Sequence, residues 1–482
     1  MENTPAEHGK YTRLASLIVG YFAIGLDSYL VILALPAITR GMRISFDDAG
    51  WILLILLVGR QCSVLISGRG GDKYGRKRLF MLGAALFGFG AILSTIAPSY
   101  VVLLLFRLFQ GFAAGMMEAN FPALVTVSFP SEQRGKALGI ASASIALSAL
   151  VGVVASGLII DAFGWRWIFI AVVPFCAAAV PLCHYLVPES KGLRAGPRDV
   201  RGSLLLLGSL ATFAIFLAYG TQESWGSPMT IWFLSITGLF VILLYIQEKR
   251  HRTPLLPAKL LREPVFLISI LTYLAVVTVQ MLVYLTAPFF LDYYMGLTNH
   301  GAGFILVIAL GATMLLLVPS GIAADFIGTR PLETAGIVMI AIGLGVLAFA
   351  GDRITMASLV VGLALFGAGG GLFASPNYSA IMGSVPKASL GVAGGIYGTV
   401  ETMGAFFGFA LSDAVLGRWA DVQGFPAGER LALFNADFHG AIRLVFFAGF
   451  IVAIIALGIL SAKYWSSSRT GLVPARKAST SF

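Results

Sequence analysis

The chain has 482 residues, of which 58% are apolar and only 12% are charged, and its formal net charge is +10. Soluble domains carry about 25% charged residues, so this composition excludes a soluble enzyme and predicts a polytopic membrane protein. The basic residues are dispersed through short loops, which favours membrane topology over nucleic-acid binding. The three cysteines, Cys62, Cys176 and Cys183, lie within apolar runs and indicate neither a disulfide framework nor a metal site.

Fourteen apolar runs are long enough for a helix to cross the hydrocarbon core, which takes about 20 residues. None alternates every second residue, as strands of a membrane β-barrel would. We expect no cleaved signal peptide, because residues 1–13 contain no short apolar core. The predicted spans cover residues 14–36, 49–67, 79–97, 100–127, 137–163, 167–187, 202–221, 231–246, 265–290, 304–324, 331–350, 357–382, 390–416 and 438–464.

An internal repeat divides these spans into two halves. A Gly-x-x-x-Asp-x-x-Gly frame beginning at Gly68 recurs at Gly321, and a Gly-x-x-x-Gly pair beginning at Gly111 recurs at Gly367. We therefore expect an all-α membrane protein with an N-terminal six-helix bundle (1–187), basic linkers with two inserted helices (188–264), a C-terminal six-helix bundle (265–464) and a disordered cytoplasmic tail (465–482). Secondary transporters place their site at such a repeat interface.

Both copies of the first frame are predicted to form tight type I turns between spans, starting at the aspartate. Paired charges at helix ends can lock one conformation. We interpret the two loops as a cytoplasmic conformational latch rather than a substrate site. Its residues are Gly68, Asp72, Gly75, Arg76, Gly321, Asp325, Gly328 and Arg330.

Lys and Arg are concentrated in the loops on one side of the predicted topology. With the N-terminus inside, 24 of them are cytoplasmic and 7 are external, while Arg60 and Arg107 lie within spans. The positive-inside rule therefore places both termini in the cytoplasm. We expect a multi-pass protein of the plasma (inner) membrane, surrounded by lipid.

Several motifs resemble those of the major facilitator superfamily over nearly the whole chain, and more closely its fourteen-helix drug:proton antiporter branch. The residues 68–78 look like the signature loop between spans 2 and 3, and 103–111 like the span-4 motif. The segment 26–36 is similar to the span-1 motif of the branch, 165–169 to its span-6 entry and 367–377 to its span-12 pattern. The resemblance implies alternating access driven by a proton gradient, without a cofactor or metal.

Two features depart from the branch. Its span-5 motif normally reads Gly-Pro-x-x-Gly-Gly, whereas residues 152–157 read Gly-Val-Val-Ala-Ser-Gly. Val153 and Ser156 predict a straighter, bulkier helix, which makes antiport less secure. Arg60 in span 2 is also not typical of the branch, and it points to a property of this protein's own substrate.

Ionisable side chains inside spans are costly and therefore functional candidates. We assign proton coupling to Asp27, Arg107, Glu118 and Glu401. Asp27 is the first choice, because it lies at mid-span, falls in the span-1 motif and has the polar Gln280 as its repeat-related residue at equivalent depth. Burial disfavours the charged form of a carboxyl group, which lets it exchange a proton. Arg107 and Glu118 are three helical turns apart and share one stripe of span 4. The alternative for Arg107 is a structural ion pair, with Asp27 as the candidate partner.

The substrate cavity is predicted to be amphipathic. Its candidate residues are Arg60, Tyr273, Gln280, Met281, Tyr284, Asn377 and Tyr378, which suit apolar or cationic compounds. Each aromatic or methionine residue has the alternative of packing helices or facing lipid.

The sequence therefore predicts a transporter and not an enzyme. The favoured function is a monomeric, proton-coupled exporter of small amphipathic or cationic compounds. Two alternatives stay open: a proton-linked or facilitative importer of a specific small molecule, which the altered span-5 motif favours, and a non-transporting membrane sensor.

Overall fold

Every regular element that the structure describes is helical. The computed structural model describes residues 5–129, 133–189, 200–222, 225–250, 260, 262–350, 354–386, 390–420 and 430–469. Its long helices are α1 (Pro5–Met42), α2 (Phe46–Tyr74), α3 (Arg76–Thr95), α4 (Tyr100–Ser128), α5 (Arg134–Phe163), α6 (Trp167–Ile170 and, after a turn, Val173–Leu186), α7 (Val200–Gln222), α8 (Pro228–Arg250), α9 (Pro264–Phe289), α10 (Asn299–Ile327), α11 (Thr329–Ala348), α12 (Met356–Gly383), α13 (Leu390–Ala420) and α14 (Arg430–Arg469). A π-helical turn, Phe290–Tyr294, extends α9.

Each of the fourteen predicted spans falls on one of these helices. Within the described residues, twelve helices are long and apolar enough to cross a membrane. The other two are α2, which carries Arg60 at mid-length, and α7, whose apolar core is the shorter Leu204–Leu217. The prediction of an all-α polytopic membrane protein is confirmed. The last helix continues to Arg469 and so includes the first residues of the predicted disordered tail, while 470–482 lie outside the described residues.

The two halves repeat the same packing scheme. In the first half, α4 packs against α2 and α3, and α1 packs against α5 and α6. In the second half, α12 packs against α10 and α11, and α9 packs against α13 and α14. These pairs correspond one to one under the repeat. Across the seam, α5 packs against α10 and α2 against α13, which are again equivalent contacts. The seam between the halves is therefore lined by α1, α2, α5, α9, α10 and α13.

The inserted helices pack as a pair on the outside of this seam. α7 contacts α8, and it also contacts α2 of the first half and α13 of the second. Phe213 of α7 meets Phe407 of α13 with ring centroids 5.5 Å apart. Leu206 and Leu210 pack with Leu244 of α8 and with Met403. The insert thus covers the side of the bundle on which α2 and α13 meet.

The repeated signature loops are shorter than predicted. α2 continues to Tyr74 and α10 to Ile327, so the expected type I turns starting at Asp72 and Asp325 do not form. A single glycine makes each turn instead, Gly75 with φ 99° and Gly328 with φ 85°. Only glycine adopts this backbone conformation without strain, which explains its recurrence at an offset of 253 residues.

The altered motif in α5 forms a continuous helix from Arg134 to Phe163. Its remaining glycines contact both neighbours, because Gly152 lies against the α1 backbone and Gly157 against the α10 backbone at Asn299 and His300. Ser156 is fully buried, and its hydroxyl donates to the carbonyl of Leu30 at 2.7 Å. α5 therefore packs closely against both α1 and α10 without the missing glycine and proline.

Candidate functional site

A fully buried network joins α1 and α4 within the first half. Arg107 Nη1 donates to both carboxylate oxygens of Asp27, at 2.9 and 2.8 Å. Gln110 closes the network, since its Oε1 accepts from Arg107 Nη1 at 2.8 Å and its Nε2 donates to Asp27 Oδ1 at 3.0 Å. All three side chains are at most 1% exposed. We call these three residues the buried network.

Small residues bring α2 and α4 close together and so position the next polar group. Gly111 lies against the α2 backbone at Leu56, and Gly115 against the backbone at Arg60. Close approach of this kind is the usual role of small residues between membrane helices. As a result, the Arg60 side chain lies beside α4 at mid-depth.

Arg60 connects one carboxylate of each half. Its Nε lies 3.5 Å from Glu118 Oε2 on α4, and its Nη2 lies 3.4 Å from Glu401 Oε1 on α13. The side chains of Arg60, Glu118 and Glu401 are 13%, 32% and 36% exposed. This central cluster therefore spans the seam with two carboxylates that remain accessible, and with both ionised its formal charge is −1.

Aromatic residues from both halves surround the central cluster. Tyr273 stacks on Tyr397 with centroids 4.0 Å apart, and Tyr378 meets Tyr397 edge-on at 5.1 Å. On the first half, Tyr21 stacks on Phe121 at 4.3 Å, and Tyr21 lies within electrostatic range of Glu118 and Arg60. Such faces can contact an apolar ring or a cation.

The structure groups the predicted coupling and cavity residues differently from the sequence analysis. Glu118 and Glu401 meet Arg60, which was assigned to the substrate cavity, whereas Asp27 and Arg107 form the separate buried network. Arg107 and Glu118 do share α4, but eleven residues at about 1.5 Å each place them about 16 Å apart along the axis. The observed ion pair between Arg107 and Asp27 matches the alternative prediction for Arg107, a structural ion pair.

The remaining cavity candidates differ in their surroundings. Tyr284 meets Tyr29 across the seam, with centroids 6.3 Å apart, and also Phe366. Gln280 lies beside Gly370, and Met281 beside Gly408. Asn377 is fully buried, and its amide donates to the carbonyl of Ser269 at 3.3 Å, which ties α12 to α9.

The candidate latch lies apart from all of these. Asp325 is exposed, and Gly321 packs against Ser375 of α12. The side chain of Asp72 and the surroundings of Gly68 lie outside the described residues. Near Gly75, Arg78 Nε lies 3.6 Å from Glu189 Oε2 beyond the end of α6. This contact belongs to the first half alone.

Tyr397 and Tyr21 were not identified from the sequence. Tyr397 precedes Glu401 by four residues, so helical spacing could have indicated that both share a face. Tyr21 has no such signal, because its proximity to Glu118 depends on how α1 packs against α4.

A second set of contacts across the seam lies at the end of the bundle where α1, α5 and α9 end and α2 and α10 begin, which we call the far end. Arg40 Nη1 contacts Asp292 Oδ2 at 2.5 Å. Asp161 accepts from Asn299 Nδ2 at 2.6 Å and from the His300 backbone at 3.1 Å. The two halves are therefore joined at the far end as well as at the central cluster.

These features define a class: a membrane protein of two equivalent six-helix halves with a polar, aromatic site at their interface. A family model described as Major Facilitator Superfamily matches residues 17–409. The chain belongs to the major facilitator superfamily, and it is accordingly a transporter and not an enzyme.

Relatives agree on the family and differ in their named substrates. The chain is 30% identical to the multidrug resistance protein Stp of Mycobacterium tuberculosis (strain CDC 1551 / Oshkosh), over 87% of this chain and 79% of that protein. It is 28% identical to the riboflavin transporter RibZ of Clostridioides difficile (strain 630), over 83% and 87%. Among solved structures, a bacterial homologue of the human lysosomal transporter Spinster, in an inward-facing and unoccupied conformation, has a TM-score of 0.67 at 13% identity, covering 97% of this chain and 99% of the other. This last likeness concerns the fold.

Proposed function

We propose that the protein is a proton-coupled antiporter that exports small amphipathic or cationic compounds by alternating access. The observation that carries this proposal is the central cluster, in which Arg60 is shared between Glu118 of its own half and Glu401 of the opposite half. Because both halves hold Arg60, a proton on either glutamate can change how the two halves are held together. Ionisable groups inside membrane helix bundles commonly mark the pathways of protons and substrates.

The charge of the central cluster gives the exchange a physical basis. With both carboxylates ionised, the cluster has a formal charge of −1 and attracts a cation. One proton on either carboxylate neutralises the cluster and removes that attraction. A proton and a cationic substrate therefore compete for the same carboxylates, which is the requirement for antiport, and the tyrosines supply faces for the apolar part of the substrate.

The same contacts suggest how protonation permits movement. A proton on Glu401 removes the charge that holds Arg60 to the second half, while Glu118 can retain Arg60 within the first half. The halves then lose one connection at mid-depth. The buried network has no equivalent role in this scheme, because Asp27 and Arg107 both belong to the first half.

Export and topology rest on further support. The 30% identity to a multidrug resistance protein favours efflux, and the distribution of Lys and Arg favours cytoplasmic termini in the inner membrane. In that orientation the far end faces outwards. We propose that the monomer is the working unit, because the site is formed within one chain.

Transport into inverted membrane vesicles tests the proposal. An imposed proton gradient should drive accumulation of a fluorescent amphipathic cation such as ethidium, and collapse of the gradient with a protonophore should abolish it. Glu401→Gln should lose gradient-driven accumulation. Vesicles that accumulate none of a broad panel of cations, or that do so equally well without a gradient, would contradict the proposal.

A specific importer is the second candidate, because the chain is 28% identical to a protein named as a riboflavin transporter. The isoalloxazine ring of riboflavin is planar and uncharged. The stacked tyrosines can therefore contact it as well as they can contact an aromatic cation. Uptake of radiolabelled riboflavin by intact cells, with parent and Glu401→Gln compared, separates the two functions. An importer would raise the riboflavin content of cells above that of cells lacking the protein, whereas an exporter would lower it.

A further inference from the structure

We propose that His300 and Asp161 form a second proton-binding site, at the far end of the seam, whose occupation holds the two halves together there. Its ligand is a proton and it needs no substrate. The inference does not rest on the central cluster, which lies at mid-depth on other helices.

Both ring nitrogens of His300 contact an oxygen atom of a neighbouring side chain. Its Nδ1 lies 2.6 Å from Asp161 Oδ2, and its Nε2 lies 3.2 Å from Thr298 Oγ1. A carboxylate and a hydroxyl oxygen can both accept a hydrogen bond. The doubly protonated imidazolium is therefore fully satisfied in this geometry, and it forms an ion pair with Asp161.

This pair crosses the seam. Asp161 lies in the last turn of α5, in the first half, and His300 in the first turn of α10, in the second half. Asn299 and the His300 backbone also donate to Asp161, so the carboxylate is held in place whether or not the ring is charged. The side chains of His300 and Asp161 are 49% and 31% exposed, so protons from solution can reach the site.

The charged groups at the far end have a net negative charge when His300 is neutral. Asp292 lies within electrostatic range of Asp161 and is paired with Arg40, which also lies over the Tyr293 ring at 5.5 Å. With His300 neutral, these far-end groups carry one positive and two negative charges. Protonation of His300 brings the set to neutrality, and histidine is the side chain that changes charge between about pH 5 and 8.

The sign of the effect follows from linkage. The imidazolium ring of His300 pairs with Asp161 only where α5 meets α10, so lower pH favours the state in which the far end is joined. Separation of α5 from α10 becomes more favourable as the pH rises. An ion pair this exposed is worth less than about 1 kcal/mol, which corresponds to at most about a fivefold change in population.

Distance measurement across the far end tests the proposal. Two exposed positions, Ile96 beyond the end of α3 and Phe349 beyond the end of α11, carry spin labels in a background without native cysteines. In purified full-length protein without substrate, the population with a separated far end should fall about two- to fivefold between about pH 7.5 and 5.5. His300→Gln should remove this response, and so should Asp161→Asn.

The matched control is His184→Gln in the last turn of α6, at the opposite end of the bundle, which should keep the full response. A response in His300→Gln equal to that of the parent would overturn the proposal. Thermal unfolding provides a second readout that needs no separated population. The parent should unfold at a higher temperature than His300→Gln at about pH 5.5 and at nearly the same temperature at about pH 7.5, and an equal difference at both pH values would also contradict the site.

Discussion

The protein uses the same pair of functional groups, guanidinium and carboxylate, in two assemblies with different surroundings. In the buried network, Arg107 and Asp27 are within 2.8 Å of each other, almost without exposure, and both belong to the first half. In the central cluster, Arg60 lies 3.4 to 3.5 Å from carboxylates that are about one-third exposed and belong to different halves. The first arrangement fixes two helices, whereas the second can exchange partners with solvent.

Under the proposed mechanism, depth in the membrane does not by itself identify a coupling residue. Desolvation makes an ionic group costly, but a close counter-charge and additional hydrogen bonds offset that cost. Gln110 and the carbonyl of Ile52, which accepts from Arg107 Nε at 3.3 Å, provide those bonds in the buried network. Four substitutions test the comparison, from the largest expected effect to the smallest.

Asp27→Asn should destabilise the folded protein by about 3–5 kcal/mol, because it leaves the Arg107 charge buried without a counter-charge. The measurement is the free energy of unfolding in mixed micelles. The double variant Asp27→Leu with Arg107→Met, which removes both charges, should recover much of that stability. A coupling role for Asp27, which the sequence favours, predicts the opposite pattern: parental stability with loss of gradient-driven transport.

Gln110→Ala should reduce the same free energy of unfolding by about 2 kcal/mol. It removes one acceptor from Arg107 and one donor to Asp27 in a site that water does not reach. Gradient-driven transport by the folded fraction should stay near the parental rate. A stable variant with transport reduced tenfold would instead place the buried network in the transport cycle.

Glu401→Gln should lower gradient-driven transport at least about tenfold, equivalent to about 1.4 kcal/mol, because the amide cannot bind and release a proton. Its unfolding free energy should change by less than about 1 kcal/mol, since the pair with Arg60 is partly exposed. Glu118→Gln is the matched variant, and it retains the contact of Arg60 with the opposite half. Equal transport and equal pH dependence in Glu401→Gln and the parent would remove Glu401 from coupling.

Tyr397→Phe should have the smallest effect, less than about threefold in the apparent affinity for an aromatic substrate. The substitution keeps the ring that stacks on Tyr273 and meets Tyr378 edge-on, and it removes only the hydroxyl. Tyr397→Ala, which removes the ring, should weaken binding further, since aromatic pairs contribute about 0.5–1.5 kcal/mol beyond burial. Affinities measured by tryptophan quenching would test the order, and equal losses for Phe and Ala would assign the effect to the hydroxyl.

The sequence by itself determined the helical membrane fold, the two related halves and the family. Each of these depends on features distributed along the chain: apolar length, which the bilayer imposes on every span, and glycine spacing, which recurs because each half packs in the same way. The glycine at Gly75 and Gly328 was found for this reason, although the turn around it was predicted to be longer.

Only the tertiary structure decided which charged side chains meet. Arg60 and Glu401 are 341 residues apart, and their contact depends on the rotation and depth of two helices from opposite halves. Sequence spacing gives the face of one helix but not its partner, so it grouped Arg107 with Glu118 and separated Arg60 from both glutamates. The contact of Asp161 with His300 had no signal at all in the sequence, because it forms only where the ends of α5 and α10 cross the seam.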